Sequence, residues 1–203
     1  MIVKVCGMRE PRNIRSVEAL GVDMMGFILY PPSPRYVAAI PDYLPQAIQR
    51  VGVFVDEQVD VIIEKSKQMS LNYIQLHGNE SVETVKQLAS HGLKVIKALS
   101  IANVSDIDRA KQYQSHCDML IFDTKCEAIG GSGRRFDWSW LECYRGDIPF
   151  LLSGGIGLEN IAELLALRHP QLAGYDINSR FETSPAIKDI EQIKLFIKRI
   201  KRK

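Results

Sequence analysis

Eight short apolar runs recur along the chain at intervals of about 20 to 25 residues, with helix-like patterns between them. They are Ile2 to Val5, Met24 to Leu29, Val51 to Val55, Tyr73 to Leu76, Lys94 to Ala98, Met119 to Phe122, Pro149 to Leu152 and Ala173 to Ile177. The runs are continuous rather than alternating, as strands covered on both faces are, so they predict a parallel sheet walled by helices. Pro11 stands at a first helical position, with Ile14 and Val17 on one face and Gly21 at the stop. Val82, Val85 and Leu88, then Ile190, Ile193, Ile197 and Ile200, repeat that spacing. Eight strand-then-helix units with right-handed crossovers close into a (β/α)8 TIM barrel. An open doubly wound sheet would carry a glycine-rich fingerprint after its first strand, and Cys6-Gly7-Met8-Arg9 is not one. A chain of 203 residues sits at the bottom of the barrel range, so the expectation is one α/β domain over residues 1–203.

Charge narrows the partners. Against 26 basic side chains stand 24 acidic ones, a net of +2, too little to hold a duplex or an anionic membrane; no nucleic-acid partner is expected. The basic cluster Lys198, Arg199, Lys201, Arg202 and Lys203 reads as a solvated helix end. No apolar run approaches the roughly 18 residues of a membrane span, and Met1-Ile2-Val3-Lys4-Val5 reads as strand rather than secretory leader; a cytoplasmic location is expected. Cys6, Cys117, Cys126 and Cys143 are irregularly spaced, which supports neither a disulfide framework nor a metal site.

In a barrel of this kind, chemistry gathers where strands end and loops begin on the C-terminal face. Reading those positions off the eight runs gives Cys6, Arg35, Gln75, His77, Lys97, Asp123, Gly154, Gly155, Asp176, Asn178 and Ser179. So many polar groups at one end of a barrel imply a ligand-binding mouth, because each would cost about 1 to 3 kcal/mol if buried without a partner. Two long connections should also be functional: Tyr30 to Ala39, and Thr124 to Asp137 with its Gly130-Gly131-Ser132-Gly133.

Gly154 and Gly155 after strand 7, with Asn178 and Ser179 after strand 8, occupy the usual phosphate position of barrels, where bare backbone N–H groups approach an anion; a plain flexible turn is the competing reading. Cys6 and Asp123 can flank one small ligand. A thiol near cations serves as a base, and a carboxyl shielded from water can donate a proton; a small buried thiol and a capping aspartate are the alternatives. Arg35 offers a fork of donors to a ligand carboxylate, or is an ordinary surface arginine. Gln75 and His77 either orient polar ligand groups or simply bond to each other.

Taken in order, these residues resemble the phosphoribosylanthranilate isomerase family of tryptophan biosynthesis. The resemblance rests on Lys4-Val5-Cys6-Gly7-Met8, Gly26-Phe27-Ile28, Ser33-Pro34-Arg35-Tyr36-Val37, Val51-Gly52-Val53-Phe54-Val55, Gln75-Leu76-His77-Gly78, Ile96-Lys97-Ala98, Phe122-Asp123-Thr124, Gly130-Gly131-Ser132-Gly133, Phe136-Asp137-Trp138, Leu152-Ser153-Gly154-Gly155 and Lys188-Asp189. It implies a cofactor-free, metal-free Amadori rearrangement of N-(5-phosphoribosyl)anthranilate to 1-(2-carboxyphenylamino)-1-deoxyribulose 5-phosphate. Cys6 would be the general base and Asp123 the general acid. Arg35, Gln75, His77 and Asp176 would bind substrate, with Gly154, Gly155, Asn178 and Ser179 around the phosphate. Family members are monomers or homodimers.

One departure stands out. Where the family commonly reads Asp-Val-Ser-Ser-Gly-Val-Glu, this chain has Asp176-Ile177-Asn178-Ser179-Arg180-Phe181-Glu182. Arg180 in place of glycine either adds a phosphate contact or points to solvent. The competing functions are another sugar-phosphate barrel enzyme, which would need a catalytic lysine or metal ligands at several strand ends, and a non-catalytic barrel that only binds a phosphorylated metabolite. The latter has no use for both Cys6 and Asp123.

Overall fold

The computed structural model describes residues 1–124 and 135–201. The glycine-rich Gly130-Gly131-Ser132-Gly133, Cys126 and the final Arg202 and Lys203 lie outside the described residues. All eight apolar runs are strands: β1 (Ile2–Cys6), β2 (Met24–Ile28), β3 (Gln49–Phe54), β4 (Tyr73–Leu76), β5 (Lys94–Ile101), β6 (Met119–Thr124), β7 (Phe150–Leu152) and β8 (Leu172–Ile177). Each pairs in parallel with its sequence neighbour. β1 also pairs with β8, Lys4 opposite Asp176, so the sheet closes into the expected barrel.

Side chains alternate across the wall and build two separate apolar layers. Met24, Val51, Ile96, Ala98, Met119, Ile121 and Leu151 fill the barrel interior. Val3, Val5, Phe27, Ile74, Leu76, Leu120, Phe122, Leu152 and Tyr175 point out and meet the helices.

The helices of the first half follow the pattern except after β2, where residues 29–48 reach β3 without a helix, against the expectation of one after every strand. α1 (Pro11–Glu18) starts on Pro11 with Glu10 Oε2 accepting from Asn13 N at 2.7 Å. α2 (Val59–Gln68) and α3 (Val82–Ser90) follow β3 and β4, and Ser81 caps α3. The second half is less regular. β5 leads to a 3-10 helix (Val104–Tyr113), where Asp106 Oδ2 accepts from the Ala102 and Asn103 N–H groups. A six-residue 3-10 helix (Trp138–Cys143) precedes β7, and a short one (Leu158–Asn160) opens α4 (Ile161–Ala166). α5 (Ile190–Ile200), capped by Asp189, lays Ile193, Phe196 and Ile200 on the barrel.

The sequence pattern did not announce a small antiparallel hairpin between β8 and α5, made of β9 (Glu182–Ser184) and β10 (Ile187–Lys188). It brings Glu182 and Lys188 over the mouth.

Candidate active site

Strand parity decides what reaches the ligand. With Val3 and Val5 facing out, Lys4 and Cys6 face in. With Ile74 and Leu76 facing out, Gln75 and His77 face in, and on the same rule Asp123 and Asp176 face in from β6 and β8. Cys6, His77, Asp123 and Asp176 therefore share the C-terminal end of the interior. Lys97 has the opposite parity and leaves the list: its Nζ turns outward to Glu80 Oε2 (2.8 Å), Gly78 O (2.8 Å) and Leu76 O (3.2 Å). Lys97 anchors the loop after β4 and has no place in the mouth. Glu80 also accepts from the Asp56 and Gly78 N–H groups; against the upward push of burial, Lys97 and these bonds hold its carboxyl below the ordinary glutamate value.

Around Cys6 the packing is close. A Cβ on Gly26 would stand 2.7 Å from Cys6 Sγ, so glycine on β2 is what makes room for the thiol. Gly7 has φ +79°, and a Cβ there would lie 2.6 Å from Arg35 Cδ and 2.9 Å from Asn178 Oδ1. Directly below the thiol, Lys4 Nζ binds Asp176 Oδ1 at 2.9 Å, both side chains buried. Burial pushes the Cys6 thiol above its ordinary value, and Lys4 and Lys188 pull the other way without prevailing. The cations expected beside this thiol are present, and desolvation works against them.

Arg35 is buried rather than superficial. Its Nε and Nη2 clasp the Glu182 carboxylate at 2.9 and 2.6 Å, which leaves Nη1 without a protein acceptor among the described residues. Lys188 Nζ lies 2.7 Å from both Glu182 Oε1 and Asn178 Oδ1. Burial raises the Glu182 carboxyl, but Arg35 and Lys188 together bring it below the glutamate norm. Asn178 therefore has its carbonyl oxygen committed to Lys188, and what it can offer a ligand is its Nδ2.

Across the mouth, His77 Nε2 lies 3.2 Å from Asp123 Oδ2, both side chains about a quarter exposed. Thr124 N donates to Asp123 Oδ1 at 2.8 Å. Gln75 is fully buried beneath, its Nε2 3.1 Å from His77 Nδ1. Of the two readings open for Gln75 and His77, the pair bonded to each other is the one observed. Gln75, expected to bind substrate, reaches the mouth only through His77.

After β7, Gly154 and Gly155 both have positive φ, +84° and +69°, and a Cβ on Gly154 would collide with Thr124 Oγ1. These are conformational requirements, beyond a merely flexible turn. Ser179 opens the one-turn helix Ser179–Phe181. Arg180, left between phosphate and solvent by the sequence, forms an ion pair with Glu159 and ties the loop after β8 to the loop after β7.

Lys4, Glu182 and Lys188 were not foreseen as site residues. Lys4 had a signal: a lysine two residues before the thiol in an otherwise apolar strand must find a buried partner. Glu182 lies 147 residues from Arg35 along the chain, so no local pattern could pair them.

The described residues contain no helix long and apolar enough to cross a membrane, and no group of three or more His, Cys, Asp or Glu arranged to hold a metal ion. The family model of N-(5'-phosphoribosyl)anthranilate isomerase matches residues 3–199. The isomerase of that name from Phocaeicola vulgatus is 50% identical over 203 residues, covering 100% of this chain and 99% of the relative. That of Parabacteroides distasonis is 47% identical over 98% of this chain and 93% of its own. Among solved structures, the Thermotoga maritima enzyme superposes with a TM-score of 0.86 at 35% identity, covering 99% of each chain. A phosphoribosylanthranilate isomerase crystallised with reduced 1-(o-carboxyphenylamino)-1-deoxyribulose 5-phosphate gives 0.82 at 32% identity, again over 99% of each chain. A closed eight-stranded barrel whose inward thiol and carboxyl crown β1 and β6, matched by that model over nearly its full length, belongs to the N-(5'-phosphoribosyl)anthranilate isomerase family.

Proposed function

We propose that this chain converts N-(5'-phosphoribosyl)anthranilate to 1-(2-carboxyphenylamino)-1-deoxyribulose 5-phosphate, as one catalytic barrel domain over residues 1–203. Asp123 protonates the ribose ring oxygen, and the lone pair of the anthranilate nitrogen opens the ring to a Schiff base. Cys6, whose thiolate Lys4 and Lys188 favour against the opposing cost of burial, then takes the proton from the neighbouring carbon, and the resulting enolamine tautomerises to the ketone. The substrate nitrogen accepts the electrons.

The observation that carries this reading is that Cys6 and Asp123 share inward parity at the same end of the barrel, three strand steps apart through β8 and β7. With strands about 4.8 Å apart, the path along the wall is roughly 14 Å. The straight chord is shorter, and two inward side chains shorten it further toward the width of a sugar. Arg35, steadied by Glu182, presents Nη1 to the anthranilate carboxylate. His77 and Asp176 border the ribose. The Gly154 and Gly155 N–H groups, with Ser179 and Asn178 Nδ2, take the phosphate. The reading includes a cytoplasmic enzyme acting on a small phosphorylated substrate, in keeping with the near-balanced charge and scattered cysteines.

Turnover of freshly generated phosphoribosylanthranilate, followed by its fluorescence, tests this. Cys6→Ala and Asp123→Asn should each lower kcat by about 100-fold or more. Near-native rates in either variant would overturn the assignment of that residue.

A further inference from the structure

A general acid that is a bare carboxylate at neutral pH has no proton to give, and the surroundings of Asp123 suggest where its proton is kept. The chain Gln75, His77, Asp123 rises from just below the mouth to its rim with spacings of 3.1 and 3.2 Å. At its foot, Gln75 Oε1 is buried and has no hydrogen-bond partner among the described residues. We propose that the proton delivered to the ring oxygen is held jointly by His77 and Asp123, with Gln75 turning its side-chain amide to follow it. The inference rests on the assignment of Asp123 as the acid.

The bonding is consistent in both states. With Gln75 Nε2 donating to His77 Nδ1, the imidazole is neutral and its Nε2–H donates to the Asp123 carboxylate. When the pair gains a proton, Nδ1 becomes an N–H and confronts the amide N–H. A half-turn of the amide replaces that clash with an Nδ1–H bond to Oε1. The turn breaks no bond at Oε1 and sets the amide NH2 in its place, a cost met by exchanging the neutral bond at Nδ1 for one that is charge-assisted whenever the imidazole is cationic. In this loaded form one proton lies between Nε2 and Oδ2, as imidazolium with carboxylate or imidazole with carboxylic acid. Transfer from Oδ2 to the ring oxygen forms the new O–H, lets the ring C–O bond break, and leaves His77 neutral beside a carboxylate.

His77 is accordingly a positioning residue that acts through Asp123. Among the described residues, Asp176 from β8 faces the pair, with Lys4 and Cys6 of β1 beside Asp176. Lys97 and Glu80 bind the loop after β4, and Asp56 reaches the same loop from β3.

The full-length protein tests this by rate and by spectrum. His77→Asn should lower kcat at neutral pH by about 100-fold with KM changed less than about threefold. It should also move the break of the kcat–pH profile that belongs to the pair to lower pH, by roughly one unit or more. Gln75→Met, which offers Nδ1–H no acceptor, should move it the same way by less. In nitrogen-15 spectra of the unaltered protein, His77 Nδ1 should gain its proton together with a shift of the Gln75 side-chain amide signals, both with one midpoint. An unchanged pH break in His77→Asn, or Gln75 signals that stay fixed while His77 titrates, would overturn the joint proton. If Asp123→Asn is inactive in that case, only this inference falls; an active Asp123→Asn removes the underlying acid assignment, and this inference with it.

Discussion

Lys4 illustrates how a single buried charge commits its neighbours. It is wholly buried, and Asp176 and Cys6 beside it hold its ammonium above the ordinary lysine value even though burial works against the charge. Lys4→Met strands the Asp176 carboxylate in the interior, at a cost of about 3–5 kcal/mol. Adding Asp176→Asn removes the stranded charge, so the double variant should recover part of that loss; urea unfolding of the two single variants and the double measures it as a non-additive cycle. At this scale the sequence was legible where chemistry and strand position coincide, as for Cys6, His77 and Asp123. It was illegible where a residue's meaning depends on a distant partner. Arg35 was read correctly as a fork of donors, but not that Glu182 already occupies two of its nitrogens. Lys97 was misplaced because counting to a strand's end gives its position without its parity.

Among the elements, the strands were the most readable, since a doubly covered strand is an unbroken apolar run and all eight appear where such runs lie. The helices of the second half were less so. The side chains of Asn103 and Asp106 bond backbone N–H groups at the start of the 3-10 helix Val104–Tyr113, and a period-3.6 pattern does not separate such a coil from an α-helix. The β9–β10 hairpin escaped notice because two strands of three and two residues leave almost no periodicity to detect. β2 offers a sharp test of how one strand shapes the site on its neighbour. Gly26→Ala places a methyl 2.7 Å from Cys6 Sγ and 3.2 Å from Cys6 Cα. It should destabilise by about 1–3 kcal/mol and turn the thiol out of line. A kcat loss of about tenfold or more beyond any stability effect, measured well below the unfolding midpoint, is the expected outcome.

For the molecule as a whole, closure of β1 on β8 joins the two ends of the chain, and Lys201 Nζ reaches Asp23 Oδ2 at 3.0 Å on the opposite face from the mouth. The buried parts of the molecule, inside the barrel wall and outside it, contain charge as well as hydrocarbon. Lys4, Lys97 and Lys188 are at most 2% exposed, each matched to a carboxylate, whereas Lys86, Lys111 and Lys194 stand in water. These three amines therefore form an internal clock for opening. An acylating reagent applied to the native protein should mark the exposed lysines within its ordinary reaction time and reach Lys4, Lys97 and Lys188 only as the barrel comes apart. Peptide mass mapping against time would then read the opening of the wall at β1, at β5 and at the hairpin separately, and would show whether the mouth loosens before the rest of the ring.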